Sequence, residues 1–192
     1  RGIDENGKNR SEKTHKFKTS PLGRIPEEWE VVRLGEVLSY EQPTKYLVKD
    51  DKYDESHGIP VLTAGKSFIL GYTYEDFGIY EEVPIILFDD FTTESKYVTF
   101  PFKLKSSAAK ILKGRANKIS LFYLYNFMQT INFKPGSEHK RFWISEYSRI
   151  SITLPPLPEQ QRIAEILSQI DNTIEKEEAY KQKLERIKKG LM

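Results

Sequence analysis

The side chains with the most obvious catalytic potential are Asp89, Asp90, Glu94 and Lys96. An Asp…Glu-x-Lys arrangement is typical of magnesium-dependent nucleases, in which carboxylates from neighbouring strands share one metal ion. Here the four residues crowd the two shoulders of one predicted hairpin turn, where Asp and Glu are also common for solubility. A metal-dependent DNA nuclease is therefore kept as the alternative function.

Other catalytic and cofactor-binding patterns are incomplete in this sequence. Ala64-Gly-Lys-Ser67 has the ending of a phosphate-binding loop, but Pro60 stands where that loop needs a glycine. His15, His57 and His139 lie far apart, without the spacing of a zinc site. There is no Gly-x-Ser-x-Gly elbow, no Gly-rich cofactor loop and no Asn/Asp-Pro-Pro-Tyr/Phe motif of an adenine methyltransferase. We expect no catalytic residue, no metal and no cofactor.

Two tracts in which cations alternate with aromatic and hydroxyl side chains predict binding to a polyanion. They are residues 96–107 and residues 134–143. Lys and Arg neutralise phosphates, and polar groups on loops can read base edges, although the aromatic residues could instead belong to the core. The residues predicted to contact DNA are Lys66, Ser67, Lys96, Lys103, Lys105, Ser106, Lys110, Lys118, Lys134, His139, Lys140 and Arg141.

The formal net charge of +2 conceals a segregation of charge along the chain. Residues 41–90 contain eleven Asp or Glu and four Lys, a balance of −7. Residues 96–118 contain seven Lys or Arg and no acid, a balance of +7. Such sorting is typical of a field that attracts polyanions to one surface, and an ordinary solvated Lys-rich face is the alternative.

Composition limits the class of protein. The 192 residues can form one domain of about 150 residues and one long helix. A hydrophobic content of 38% with 12% aromatics excludes a disordered chain. The absence of cysteine excludes a disulfide framework and is typical of a reducing cytoplasm. No apolar run approaches the roughly 18 residues of a membrane span, so we expect no membrane partner.

The elements that must position the polar tracts are short. Runs rich in β-branched and aromatic residues predict strands at 29–34, 58–63, 68–70, 72–74, 83–88, 96–104 and 150–154. Helices are predicted at 34–40, 119–131 and 141–149, and a charged loop at 43–58. Residues 1–20 are polar and aperiodic, which indicates an extended arm or linker. The expected fold class is α+β, with a globule of short strands and helices followed by one long coiled-coil helix.

The long helix is predicted in residues 155–192. Proline and an acidic side chain both suit the first turn of a helix, and the chain offers Pro158 and Glu159 there. No Gly or Pro follows until Gly190, so we expect one helix of roughly 30 residues, about 45 Å long.

Apolar residues recur along this helix at coiled-coil spacing. The seam consists of Ile163, Leu167, Ile170, Ile174, Tyr180, Leu184, Ile187 and Leu191. A step of three where four is due interrupts it beside Glu177, so two short seams meet end to end. We expect a homodimer in which two such helices lie antiparallel around a two-fold axis near Glu177. Packing of the helix back onto its own globule is the alternative.

Several segments together resemble the DNA specificity (S) subunit of Type I restriction–modification systems. The most specific is Leu154-Pro-Pro-Leu-Pro-Glu-Gln-Gln-Arg-Ile163, followed by a helix that ends in Lys188-Lys-Gly-Leu-Met192. Ser20-Pro-Leu-Gly-Arg-Ile-Pro-Glu-Glu-Trp-Glu-Val-Val-Arg-Leu34 resembles the lead-in to that family's target recognition domain. Phe88-Asp-Asp-Phe-Thr-Thr93 and Lys105-Ser-Ser-Ala108 are similar to its recurring segments. The resemblance covers nearly the whole chain.

The resemblance implies a subunit without catalytic activity that binds double-stranded DNA. It implies two target recognition domains, each of which reads half of a split site, and two antiparallel helices that set the spacing. It also implies docking onto modification subunits, which methylate adenine and recruit restriction subunits, in a prokaryotic cytoplasm. A pure coiled-coil scaffold without DNA preference is a further alternative.

This sequence has one recognition domain and one helix, so it corresponds to a half-subunit, either natural or part of a longer protein. The implied division is an arm or linker at 1–20, a DNA-binding target recognition domain at 21–154, and a helix for dimerisation, spacing and subunit docking at 155–192.

Overall fold

Short runs rich in β-branched and aromatic residues form most of the strands, and the longest run without Gly or Pro forms the helix that follows them. The computed structural model describes residues 2–4, 7–65, 67–115, 119–134 and 141–191. The strands are β1 (Phe17–Ser20), β2 (Gly23–Pro26), β3 (Glu30–Arg33), β4 (Leu38–Glu41), β5 (Ile59–Leu62), β6 (Ile69–Thr73), β7 (Ile85–Asp89), β8 (Ser95–Val98), β9 (Lys103–Leu104), β10 (Ala109–Gly114) and β11 (Ser151–Leu154). The helices are α1 (Leu34–Val37), α2 (Leu121–Gln129), α3 (Phe142–Ser145) and α4 (Leu157–Gly190), with 3-10 turns at Pro43–Tyr46 and Tyr147–Arg149.

The centre of the globule is an antiparallel sheet in the order β4-β10-β7-β8. Strand β7 is buried at four successive residues, Ile85 to Phe88, because both faces of the sheet are covered. Since side chains alternate along a strand, Ile86 and Phe88 point into one core, whereas Ile85 and Leu87 point into the other. The sheet therefore separates two apolar layers.

Helices and an antiparallel β3–β11 pair cover the first face of the sheet. The ring centroid of Phe88 lies 5.3 Å from that of Trp143 and 4.8 Å from that of Tyr147. Burial in this cluster raises the pKa of Tyr147 to about 12. A second sheet in the order β6-β5-β9, with β5 and β9 parallel, covers the other face.

Helix α4 begins in the globule and leaves it. Ile163 and Ala164 pack against the first core, whereas every residue from Gln169 to Leu191 is exposed. The exposed part is about 33 Å long at 1.5 Å per residue. Ile170 is 49% exposed and Leu184 is 47% exposed. These seam residues therefore do not pack onto the globule. The prediction of an α+β globule followed by one long helix is confirmed.

None of the described helices combines the length and the apolar character that a membrane span requires.

Several element predictions need correction. Residues 109–114, which the sequence presents as part of a basic tract, form the strand β10 beside β7. The predicted strand at 96–104 is divided into β8 and β9, and the two predicted strands at 68–70 and 72–74 form one strand, β6. The predicted helix at 34–40 is helical only to Val37, because the backbone of Leu38–Glu41 pairs with β10.

The described part of residues 1–20 also differs from an extended arm. Phe17–Ser20 pair with Gly23–Pro26 in a hairpin, and Ile3 and Arg10 contact the first turn of α4. The physical reason is the buried carboxylate of Glu159, which needs donors and receives them from this segment.

Candidate nucleic-acid interface

Three segments meet at one end of the central sheet. Because the strands are antiparallel, with Asp89 opposite Ala109 and Phe88 opposite Ser95, the turn at 89–94 and the loop at 105–108 emerge together. Arg141 joins them just before α3, and its Nη1 donates a hydrogen bond to the carbonyl oxygen of Ser107 at 3.3 Å. We call the turn 89–94, the loop 105–108 and Arg141 the sheet-end surface.

The turn between β7 and β8 presents an aromatic side chain at its tip. Oδ1 of Asp89 accepts hydrogen bonds from the backbone N–H groups of Phe91 and Thr92, both at 2.8 Å. Thr93 has a φ of 63°, a left-handed conformation that is uncommon for a β-branched residue and is often retained at functional sites. Phe91 remains 39% exposed and Thr92 is exposed, so the turn presents an aromatic ring and a hydroxyl to solvent.

Asp90 has a different role from its neighbour, because it is completely buried. Its Oδ1 accepts a hydrogen bond from the backbone N–H of Trp143 at 2.8 Å, and its Oδ2 lies 3.2 Å from Nζ of Lys110. With both oxygens engaged inside the protein, this carboxylate is not placed to share a metal ion with Glu94. Among the described residues no group of three or more His, Cys, Asp or Glu is arranged to hold a metal ion. The nuclease alternative therefore has no support.

Two of the predicted DNA contacts are corrected, because Lys103 and Lys110 are completely buried. Nζ of Lys103 lies 2.9 Å from Oε2 of Glu75 and 4.1 Å from the ring centroid of Phe77. Nζ of Lys110 pairs with Asp90 and also donates to Oε1 of Gln42 at 3.0 Å. A buried ammonium is stable only when it is paired in this way, so neither lysine reaches a phosphate.

Glu75 shows the electrostatic effect of such pairing. Burial raises its pKa, but the hydrogen bond from Lys103 and those from the backbone N–H groups of Asp50 and Lys49 outweigh burial and lower the pKa of Glu75 to about 2.

The remaining described candidates lie at the surface. Ser106 and Arg141 belong to the sheet-end surface and are exposed, and Lys105 is partly exposed. Lys105 bonds to Asp51, which raises the pKa of the lysine. The other three are Ser67 in the β5–β6 turn, Lys96 on the edge strand β8 and Lys134 after α2, of which Ser67 and Lys134 are exposed and Lys96 partly exposed. Lys66, Lys118, His139 and Lys140 lie outside the described residues.

Sequence reasoning missed Phe91, Thr92 and Ser107 as members of this surface. The acidic residues on either side of the turn instead suggested a nuclease site in this segment. An aromatic residue within a predicted hairpin turn, where no core is available to it, was the signal that could have identified Phe91.

The first turn of α4 is fixed to the globule by two buried polar side chains. Glu159 accepts hydrogen bonds from the backbone N–H of Ile3 and from Nε1 of Trp29, each at 2.9 Å, and pairs with Nη2 of Arg10 at 3.1 Å. Gln160 accepts from the backbone N–H of Ser120 and donates to the carbonyl of Pro155. The Pro-Glu-Gln-Gln segment thus determines how the helix leaves the globule.

Gly2 shows how closely the amino-terminal segment approaches this turn. Its φ is +73°, and a Cβ atom at that position would lie 2.5 Å from Oε1 of Glu159 and 2.6 Å from Cζ2 of Trp29. A side chain at residue 2 would therefore displace the donors of the Glu159 carboxylate.

Comparison with known proteins identifies the family. A model of the Type I restriction modification DNA specificity domain matches residues 26–186. The chain is 47% identical over 160 residues to the Type I restriction enzyme EcoR124I/EcoR124II specificity subunit of Escherichia coli. This match covers 81% of this chain and 39% of that protein. It is 30% identical to the putative type I restriction enzyme MjaX specificity subunit of Methanocaldococcus jannaschii, over 92% of this chain and 44% of that protein. The chain thus spans about two fifths of the length of these curated relatives.

Solved structures show the same fold at low sequence identity. The S subunit of the Type-I restriction-modification system from M. genitalium matches with a TM-score of 0.57 and 14% identity, over 78% of this chain and 41% of that chain. A chain in a structure of the type I R-M system matches with a TM-score of 0.51 and 18% identity, over 80% of this chain and 41% of that chain. The sequence matches and the common fold together show that the chain belongs to the Type I restriction–modification DNA specificity family.

Proposed function

We propose that this chain is a sequence-specific DNA recognition subunit of a Type I restriction–modification complex and has no catalytic activity of its own. The observation that carries the proposal is the 47% identity to a specificity subunit across 81% of the chain. Since one recognition domain is present, the chain reads half of a bipartite site on double-stranded DNA.

The sheet-end surface supports this function by its chemistry. Hydroxyl groups of Thr92, Ser106 and Ser107 are suited to hydrogen bonds with base edges. Arg141, Lys96 and Lys134 supply the positive charge that phosphates attract. We also propose Ser67 and Lys105 as contacts, and we retain Lys66, Lys118, His139 and Lys140 as predicted contacts in the same function.

The long helix is proposed to dimerise and to dock onto adenine-methylating modification subunits, and through them onto restriction subunits. Residues 157–178 contain six Asp or Glu and two Lys or Arg, whereas residues 179–191 contain one Glu and five Lys or Arg. An antiparallel pair places the acidic half of each helix beside the basic half of the other, whereas a parallel pair places like charges together. The charge pattern therefore favours an antiparallel homodimer.

Apolar exposure supports the same arrangement. Ile170, Ile174, Leu184 and Ile187 are each about half exposed on one helix. Burying one such side chain contributes about 1.5–3 kcal/mol at most, so a seam of several of them favours association with a second helix. Prokaryotic DNA lies in the cytoplasm, so the proposal includes the cytoplasmic location expected from the sequence.

The proposal is tested by supplying this chain as the sole specificity component to its cognate modification subunits in a host without adenine methylation. We expect methylated adenines confined to one sequence motif, and no motif when the chain is omitted. Methylation without sequence preference in the presence of the chain rules out a recognition subunit. Magnesium-dependent DNA cleavage by the isolated chain that Asp90→Ala/Glu94→Ala abolishes would instead establish the nuclease.

A further inference from the structure

We propose that Asp90 is a positioning residue that holds the three segments of the sheet-end surface in one arrangement and thereby determines which bases are read. The inference rests on the proposed function, because it assigns a device to the same DNA-reading surface. Asp90 is completely buried, so it acts through its neighbours and does not touch DNA.

Directional hydrogen bonds connect Asp90 to two other segments. Its backbone N–H donates to the carbonyl oxygen of Ala108 at 3.0 Å, which ties the 89–94 turn to the 105–108 loop. Its own carbonyl accepts from the backbone N–H of Phe142 at 2.9 Å, and its Oδ1 accepts from that of Trp143 at 2.8 Å. These two bonds satisfy the first N–H groups of α3, so the start of that helix is fixed against the turn.

Charge completes the arrangement on the other side of the carboxylate. Oδ2 of Asp90 lies 3.2 Å from Nζ of Lys110 and 3.9 Å from Nη1 of Arg141. Arg141 in turn donates to the carbonyl of Ser107, and Lys110 to Gln42 just beyond β4. Apolar contacts alone tolerate small displacements, whereas hydrogen bonds and a buried ion pair depend on distance and direction, so these contacts favour one arrangement of the segments.

This geometry matters for base reading more than for attraction to DNA. Hydrogen bonds to base edges weaken steeply with distance and angle, so a small displacement of Thr92, Ser106 or Arg141 removes discrimination between bases. Attraction between cations and phosphates is long-ranged and tolerates the same displacement. Loss of the Asp90 side chain removes the bond to Trp143 and the contacts with Lys110 and Arg141, although the two backbone bonds remain. It should therefore reduce sequence preference while general DNA affinity persists.

The chain contains a matched control in the pair of Lys103 and Glu75. Lys103 is as completely buried as Lys110, and its Nζ lies 2.9 Å from Oε2 of Glu75. The hydrogen bonds of this pair run to Phe77, Lys49 and Asp50, away from the 89–94 turn. Removing it disturbs the interior in a similar way without releasing the three segments.

The test compares Asp90→Ala/Lys110→Met with Glu75→Ala/Lys103→Met, since each removes both members of a buried ion pair and leaves no uncompensated charge. Each variant is supplied with modification subunits for methylation mapping. Its affinity for a duplex of random sequence is measured by fluorescence anisotropy. In the first variant we expect the preference for the motif over singly mismatched sequences to fall about tenfold or more. Its affinity for random duplex should stay within about twofold, and the second variant should keep the wild-type motif.

An unchanged motif in folded Asp90→Ala/Lys110→Met overturns the inference, and so does equal broadening in both variants, because the effect would then be general. If circular dichroism shows that the first variant does not fold, Asp90→Asn/Lys110→Met decides by the same criterion, since it keeps an acceptor for Trp143, removes the ion pair and leaves no buried charge unpaired. A wild-type chain that directs no motif overturns the proposed function as well, whereas a wild-type motif that survives in the variant overturns the inference alone.

Discussion

At the scale of single residues, burial decides which lysines of residues 96–118 are available for the proposed contact with DNA. Lys103 and Lys110 belong to the same acid-free stretch, residues 96–118, as Lys105, but they lie inside the protein and neutralise Glu75 and Asp90. Their partners are distant in the sequence, 28 and 20 positions away respectively. The charge segregation along the chain therefore partly reflects pairs that meet only in the fold.

Stability in acid should report the Lys103–Glu75 pair. A carboxyl group with a pKa lowered to about 2 stabilises the fold above its ordinary pKa near 4.5, and this contribution is lost as the pH falls from 4.5 towards 2. Glu75→Gln should lower the free energy of unfolding at pH 7 by about 3 kcal/mol, since Lys103 loses its partner. Urea denaturation at successive pH values should show the gap from wild type narrowing below pH 4.5. A gap that stays constant to pH 3 contradicts this assignment.

Phosphate contacts should be recognisable by their dependence on salt. Lys96→Ala and Lys134→Ala should each weaken binding to all duplexes equally and lower the slope of log affinity against log salt by about one. Lys18→Ala, on the exposed strand β1, is the matched control and should leave the slope unchanged. Fluorescence anisotropy across a salt series measures this. A loss of affinity that differs from one duplex sequence to another would show instead that the lysine reads bases.

At the scale of elements, the sequence predicted those whose signal is local. Helix α4 was predicted from its prolines, an acidic first turn and a long run without Gly or Pro, and α2 from a run of apolar and aromatic residues. Strand β10 was missed because Lys110 and Lys113 interrupt its apolar residues, and the partners that allow Lys110 to be buried, Asp90 and Gln42, are distant in the sequence. The sequence likewise predicted only some members of the proposed sheet-end surface, because hydrogen bonds between distant segments assemble it.

The attachment of α4 to the globule should depend on the donors to Glu159. Trp29→Phe removes the indole N–H that donates to its carboxylate at 2.9 Å, and should cost about 1.5–3 kcal/mol of unfolding free energy. Glu12→Gln breaks the exposed pair between Glu12 and Arg24 and should cost less than about 1 kcal/mol. Chemical denaturation measures both. Equal losses of unfolding free energy in the two variants would mean that the buried hydrogen bond to Glu159 stabilises the fold no more than the exposed ion pair does.

At the scale of the whole molecule, the exposed helix presents an apolar seam that the proposed dimer would cover. The proposed antiparallel pairing predicts that the wild type has twice the mass of one chain by light scattering at micromolar concentration. Ile170→Lys/Leu184→Lys, which charges the seam, should be monomeric. Asn172→Lys/Gln182→Lys adds the same charge on the opposite face of the helix and should remain dimeric.

A wild type that is monomeric, or a seam variant that stays dimeric, excludes pairing through this face. Loss of the dimer in both variants would attribute the effect to net charge rather than to the seam.

The form of the methylated motif tests the account most directly. Two copies of one chain related by a two-fold axis carry identical recognition domains, so they must read identical half-sites in inverted orientation. The length of a rigid helix pair should fix the number of base pairs between them. Methylation mapping with this chain as the sole specificity component should therefore return an inverted repeat with one fixed gap. A motif with two different halves, or the absence of any motif, would contradict the account.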